Sequence, residues 1–437
     1  MKQTKQIVLS GIQPSGELHI GNYLGSLKNF VELQNKYQCY FFLATYHSIT
    51  EDYNPKEKKQ DIFDLMLDFL AAGLDPKKCI IFNQIDVPEC TELAWIFNTI
   101  TPIAELLRMT QFKDKAGIHQ IRKLSDMLES KKNMHNNEVK TNYNEDTYDK
   151  FRPILEKTFK EILKEIDFPL SNLKVFQSKY EYIISEFIKI EINQLQYERK
   201  KLAKDIEFNK KSIELLDYYF QLKQTLDKIS KTNTGLLDYP VLQAADILLY
   251  HAQLIPVGQD QIQHVEITRD IARHFNNKFG QYFIEPKPLL TKIPKVMSLL
   301  EPEKKMSKSA GPGHYIAIND EPEAIHEKLK RAVTGTGTEE TLPAGAQNLM
   351  ALLAEFGTPK QTAYFKEHIK NKTIRYSELK ETLAKDISEY FVDFRKKRKQ
   401  LEKKPQYVAK VLKDGASKAR KIAQKTIKEV KNLIGVA

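Results

Sequence analysis

Cysteine is scarce: three residues, Cys39, Cys79 and Cys90, in a chain of 437. No two of them stand at C-x-x-C spacing and no His-Cys cluster accompanies them. That pattern excludes a disulfide scaffold and a zinc ribbon, and it implies buried thiols in a reducing compartment. No apolar run approaches the roughly 18 residues that a membrane-spanning helix needs. The N-terminus has a short basic lead and then Ile7-Val8-Leu9, which reads as a strand rather than a signal peptide. A cytoplasmic location is the expectation. Glycine is missing altogether between residues 118 and 231. No Ser-His-Asp or Cys-His pattern suggests a covalent nucleophile.

Charge and length supply the first positive signals. A chain of this size holds two or three domains, and its 41% hydrophobic content suffices for a sizeable core. The formal net charge is +11, and fifteen Lys/Arg against three Asp/Glu lie from Arg395 to the end. This terminal stretch carries the whole basic excess. It predicts contact with a polyanion.

The first hundred residues alternate between strand and helix patterns. Strands are expected at Ile7–Ser10, Tyr40–Ala44 and Cys79–Asn83, with helices at Asn22–Tyr37 and Asp61–Ala72. Alternation of this kind predicts a parallel, Rossmann-like α/β sheet with active residues at the C-terminal strand ends. Beyond about Glu321 the pattern is helical and charged. The glycine-free stretch carries Ile188, Ile192, Leu195, Leu202, Ile206, Ile213, Leu216 and Phe220 at alternating three- and four-residue steps, interrupted at Arg199 and Asn209. This is a heptad seam, expected to form a helical arm. The resulting division is 1–117 and 232–318 for the two halves of the Rossmann-like catalytic domain, 118–231 for a helical insertion, and 319–437 for an α-helical C-terminal domain.

Two strings carry the chemistry. Pro14-Ser15-Gly16-Glu17-Leu18-His19-Ile20-Gly21-Asn22 sets small residues and a His/Asn pair where a strand meets a helix, so that backbone N–H groups can approach phosphate. Lys305-Met306-Ser307-Lys308-Ser309 sets two ammonium groups and two hydroxyls on a loop, suited to charge developing on a leaving pyrophosphate. In this order they resemble the HIGH and KMSKS signatures of class I aminoacyl-tRNA synthetases. Three further strings narrow the resemblance to the tryptophanyl branch: Ala244-Ala245-Asp246-Ile247-Leu248-Leu249-Tyr250, Met109-Thr110-Gln111-Phe112-Lys113 and Pro256-Val257-Gly258-Gln259-Asp260-Gln261.

The resemblance implies an ATP site lined by Gln13, Pro14, Ser15, Gly21, Asn22, Gly258, Gln259, Asp260, Val296, Lys305, Met306, Ser307, Lys308 and Ser309. His19, Asn22, Lys113, Lys305 and Lys308 would serve catalysis. Asp246 would accept the indole N–H, Tyr239 and Gln261 would hold the ammonium group, and Gln243, Val257 and His47 would complete the pocket. Two local departures are noted: Gln243 where many relatives carry Met, and Thr45 in place of the usual Asp. Implied too are Mg²⁺ with ATP, no protein-bound metal, tRNA(Trp) as partner, a homodimer, and tRNA contact through Lys396, Lys397 and Arg398. The resemblance covers about residues 5–116 and 235–437, with relatives expected to have only a short connection in place of 118–231. A tyrosyl enzyme shares the fold, both signatures and a Tyr/Gln/Asp pocket, and is the nearest alternative. A non-catalytic paralogue that binds tRNA or senses tryptophan is the other, although neither phosphate motif is lost.

Overall fold

A computed structural model describes residues 5–117, 232–290, 296–335 and 341–437. The heptad seam lies outside them. The chain divides into two compact units, residues 1–101 with 239–437 and residues 102–238. These boundaries fall at Thr101/Pro102 and Asp238/Tyr239, not at 117/118 and 231/232, and the helices after 319 belong to the same unit as the sheet.

The first unit is built on a parallel five-stranded sheet in the order β3-β2-β1-β4-β5. Strand β1 is Ile7–Ile12, two residues longer than the expected Ile7–Ser10, because Gly11 and Ile12 continue in register with Phe42 and Leu43. At its C-terminal end the chain turns and enters α1, Ile20–Asn22. His19 caps this turn reciprocally: its Nδ1 accepts the Asn22 N–H at 3.3 Å, and Asn22 Oδ1 accepts the His19 N–H. A π turn, Tyr23–Leu27, leads into α2, Lys28–Leu33. The expected single helix to Tyr37 therefore begins earlier, carries a wide turn and stops four residues sooner. Gln34 ends it by donating its side-chain amide to the carbonyls of Val31 and Gly73.

Strand β2 is Gln38–Leu43, followed by α3, Lys58–Ala72, then β3, Cys79–Asn83, and α4, Glu89–Asn98. Helix α3 starts three residues before the apolar periodicity does, since its first turn is polar. In the second unit lie α5, Ile103–Leu107, and α6, Thr110–Lys115. Helix α7, Thr234–Leu249, precedes β4, Leu254–Val257; α8, Ile262–Phe279, leads to β5, Lys287–Leu290. After the Lys305–Ser309 loop come α9, Pro322–Arg331, α10, Ala344–Phe356, α11, Pro359–Lys370, α12, Tyr376–Tyr390, α13, Val392–Glu402, and α14, Pro405–Ile434.

One apolar cluster runs from the sheet into these helices. Val8, Phe41, Leu43 and Ile81 of the strands share it with Phe30, Phe69, Leu349, Leu379 and Val408. Phe30 stacks on Phe41 with centroids 4.4 Å apart. The late helices thus bury their apolar faces in the sheet's own core rather than in a separate one. Strand order reverses between β1 and β4, and at such a switch point the diverging loops leave a crevice beyond the carboxyl ends of the strands.

Candidate active site

The two signature strings meet at that crevice. Lys308 Nζ donates to Ser15 Oγ at 3.1 Å, across 293 residues of sequence. The loop that delivers Lys308 is held by its backbone. Met306 N–H donates to the Val296 carbonyl at 3.0 Å, and Ser298 N–H to the Lys304 carbonyl at 2.8 Å. Met306 and Val296 are both buried, so they serve the site as the floor under the loop. Ser307 and Ser309 share a hydrogen bond at 2.8 Å, while Lys305 stands exposed. The strand-like run after the loop closes the arrangement: Ile20 N–H donates to the Ile316 carbonyl, and Ile318 N–H to that of Leu18.

Gly21 sits where the approach is closest. A Cβ there would lie 3.0 Å from the His19 ring and 3.6 Å from Val296 Cβ. Around it, Pro14 is buried, Asn22 is half-buried, and Gln13 and Ser15 are exposed beside the crevice. Burial, then the charges of Lys308 and Lys305, push the His19 imidazole down to about 4. It is therefore neutral at physiological pH, and its Nδ1 is available as the acceptor that caps α1. Lys308 is itself held below the usual lysine value by burial, partly offset by Asp61, Glu17 and Asp68.

A further lysine belongs to this cluster, one the motifs did not single out. Lys58, the first residue of α3, donates to the Pro14 carbonyl at 2.9 Å and to Ser48 Oγ at 3.3 Å, and its Nζ stands 5.0 Å from the Tyr53 ring centroid. It ties the Pro14 turn to the residue following His47. In sequence it is one member of a charged Lys/Glu run, indistinguishable from a solvated helix start.

The second part of the site lies under the ends of β2 and β3. Asp246, on α7, is 3% exposed. Its Oδ2 receives His47 Nε2 at 2.9 Å and Gln84 Nε2 at 2.7 Å. Tyr239, two turns earlier on the same face of α7, makes a 2.8 Å hydrogen bond to His264 Nε2, and its ring meets that of His47 edge-on at 6.4 Å. Burial raises the Tyr239 phenol well above its ordinary value. Thr45 does not face the carboxylate; its Oγ1 accepts the Ile85 N–H at 3.1 Å and pins β2's end to β3's. Val257 is buried at the end of β4, next to Gly258, and Gln259, Asp260 and Gln261 form the short turn that opens α8. Gln243 is half-buried on α7. Gln84 and His264 are the residues missed here, since each is recruited by a neighbour distant in sequence.

Lys113 lies on α6 of the second unit. Its phosphate role rests on the sequence resemblance alone. One assignment is corrected. Arg398 was expected to face tRNA, but its side chain is 12% exposed and committed to carboxylates: Nε to Asp68 at 2.9 Å, Nη2 to Asp64 at 2.7 Å, and Nη1 to Glu402. It clamps α13 to α3. Lys396 and Lys397 do lie exposed.

Comparison with known proteins decides the family. The model of class I tRNA synthetases for tryptophan and tyrosine (W and Y) matches residues 1–128 and 164–392. The tryptophan–tRNA ligase of Clostridium tetani is 33% identical over 440 residues, spanning 100% of this chain and 97% of the relative. The chain belongs to the tryptophan–tRNA ligases. The Aquifex aeolicus member is 32% identical over 442 residues, covering 98% of this chain and 99% of its own. Among solved structures, the tryptophanyl-tRNA synthetase of Campylobacter jejuni, complexed with ADP and tryptophan, superposes with a TM-score of 0.63 at 27% identity over 98% of this chain and 99% of that one. A tyrosyl-tRNA synthetase from Archaeoglobus fulgidus shares the fold at a TM-score of 0.52 and 16% identity. Full-length similarity to tryptophan–tRNA ligases sets the tyrosyl alternative aside.

Proposed function

We propose that the crevice activates L-tryptophan with ATP and passes it to the terminal adenosine of tRNA(Trp), with the residues acting as follows. The observation that carries this reading is the 3.1 Å bond from Lys308 to Ser15, which joins the two halves of a phosphate clamp. A tryptophan carboxylate oxygen attacks the α-phosphorus, the bond to the bridging oxygen breaks, and pyrophosphate leaves with the electron pair. Lys305 and Lys308 stabilise charge on the departing phosphates, and Ser307 and Ser309 donate to their oxygens. Gly21 leaves room for the nucleotide, which Gln13, Pro14, Ser15, Asn22, Gly258, Gln259 and Asp260 border. His19, neutral at physiological pH, offers a hydrogen bond without competing for positive charge. Mg²⁺ arrives on the ATP phosphates and neutralises part of their charge.

In the amino-acid pocket Asp246 accepts the indole N–H, Tyr239 and Gln261 hold the ammonium group, and Val257, Gln243 and His47 frame the ring. A ribose hydroxyl of the tRNA then attacks the adenylate carbonyl and AMP leaves. Lys396 and Lys397 supply phosphate contacts for that partner. A homodimer is supported by the chain's single tryptophan, Trp95, which is 72% exposed on α4, with Ile85 at 50% nearby in sequence. Apolar surface of this kind favours burial against a second copy. The cytoplasm suits the tRNA partner and the three reduced cysteines. Among the described residues no helix is long and apolar enough to cross a membrane.

Incubation with tryptophan and ATP should yield tryptophanyl-adenylate that can be chased onto tRNA(Trp). A chain that makes the adenylate but cannot be chased would overturn the transfer step. One that makes none would overturn the activation step.

A further inference from the structure

The carboxylate of Asp246 is held by two donors on the same oxygen. Gln84 Nε2 lies 2.7 Å from Oδ2 and His47 Nε2 lies 2.9 Å from it. The orientation of the Gln84 amide is itself decided elsewhere, because its Oε1 accepts the Tyr46 N–H at 2.9 Å. With the oxygen so occupied, the NH₂ group has to face Asp246. Gln84 is 1% exposed, His47 7% and Asp246 3%, so water does not compete for these bonds. A carboxylate has two oxygens, and saturating one with donors leaves the other as the acceptor that remains. Among the described residues no hydrogen bond is formed to Oδ1.

We infer that Gln84 is a specificity-determining positioning residue: by binding Oδ2 together with His47, it turns Oδ1 of Asp246 toward the ring nitrogen of a tryptophan side chain. The inference rests on the pocket proposed above. Gln84 does not touch substrate in this scheme. It keeps the carboxylate from rotating and holds its charge, so that a donor-only N–H is met by an acceptor already in place. A hydrogen bond to a charged acceptor is among the stronger ones a pocket can make, and the cost of reorienting a mobile acceptor is subtracted from it.

The test uses two substrates that differ in this one contact: tryptophan, and its analogue β-(3-benzothienyl)alanine, in which sulfur replaces the ring N–H. Amino-acid-dependent pyrophosphate exchange by the full-length chain gives kcat/KM for each. The ratio of the two is the quantity of interest. In Gln84→Leu the preference for tryptophan should fall by about tenfold or more, through tryptophan alone, with KM for ATP unchanged. Gln84→Glu keeps the acceptor for Tyr46 N–H but replaces the donor facing Asp246, and should lose the preference in the same way if Gln84→Leu does not fold. Equal losses for both substrates would show a packing role, and an unchanged ratio would show none; either result overturns the inference. Asp246→Ala separates this from the underlying reading. If it leaves the preference intact, the pocket itself is misassigned. If it abolishes the preference while the Gln84 variants retain it, only the role of Gln84 fails.

Discussion

Gly415 of the C-terminal helix α14 lies against the backbone of β3 at Ile81. A Cβ built on Gly415 would stand 1.7 Å from the Ile81 carbonyl oxygen. No side chain can be placed there without moving the helix off the strand. The contact is reinforced along the helix by Arg420 to Glu89, by Thr426 Oγ1 to the Leu249 carbonyl at 2.9 Å, and by Lys431 to Glu92. Gly415→Ala should therefore destabilise the fold by roughly 1–3 kcal/mol despite the better helix propensity of alanine. Urea unfolding checks this, and a stabilised variant would show that helix and strand are not in contact in solution.

Asp68 should make stability depend on pH. It is buried on α3 and shares the Arg398 guanidinium with Asp64 and Glu402. Burial pushes its carboxyl up from 3.8 to about 7, with the charge and hydrogen bond of Arg398 offsetting part of the rise. A folded-state value above the unfolded one means the folded chain binds this proton more tightly. The stability so gained is complete below about pH 4 and is lost as pH rises through about 7. The isosteric Asp68→Asn should flatten the unfolding free energy between about pH 5 and 8 relative to the native chain. An unchanged slope would mean that Arg398 alone keeps Asp68 ionised.

Lys308 and Lys58 should fail in different ways. Lys308→Ala removes the donor proposed to meet the leaving pyrophosphate and should slow adenylation by about two to three orders of magnitude, while preformed adenylate still reacts with tRNA. Lys58 holds the Pro14 carbonyl and Ser48. Lys58→Met should raise KM for ATP by about tenfold with little change in kcat, as expected for loss of uniform binding, and Lys58→Arg should recover part of it. Identical kinetic defects in the two variants would contradict the assignment of separate roles.

Charge reversal at Lys396 and Lys397 should weaken tRNA binding and reduce its dependence on salt, since each phosphate contact contributes to counterion release. Arg398 is left native because its charge is spent within the fold. Filter binding at several salt concentrations gives the slope, and pyrophosphate exchange without tRNA should be unaffected. A slope identical to the native one would move the tRNA surface elsewhere.

Local patterns were legible where one segment decides its own structure. Cys79–Asn83 is a strand over the residues its apolar run marks, and parallel alternation foretold a Rossmann-like sheet. The strings Pro14–Asn22 and Lys305–Ser309, far apart in sequence, are joined in the fold by the bond from Lys308 to Ser15. What stayed hidden depends on partners far away in sequence. Gln84 matters because Asp246 is 162 residues on. Arg398 sits in a run of basic residues that looks uniformly solvated, yet helical periodicity turns it toward Asp64 and Asp68 while Lys396 and Lys397 face out. Composition cannot say which face of a charged helix is inward. For the same reason the late helices read as a domain of their own, although their apolar faces complete the core of the sheet.

Pyrophosphate exchange, run separately with each genetically encoded amino acid, tests the account most directly. The clamp of Lys308 on Ser15 and the buried acceptor Asp246 predict ATP-dependent exchange with tryptophan at least about a hundredfold above any other amino acid, the discrimination that a polar site built for one donor can supply. Preferential exchange with tyrosine, or no exchange with any amino acid, would contradict it.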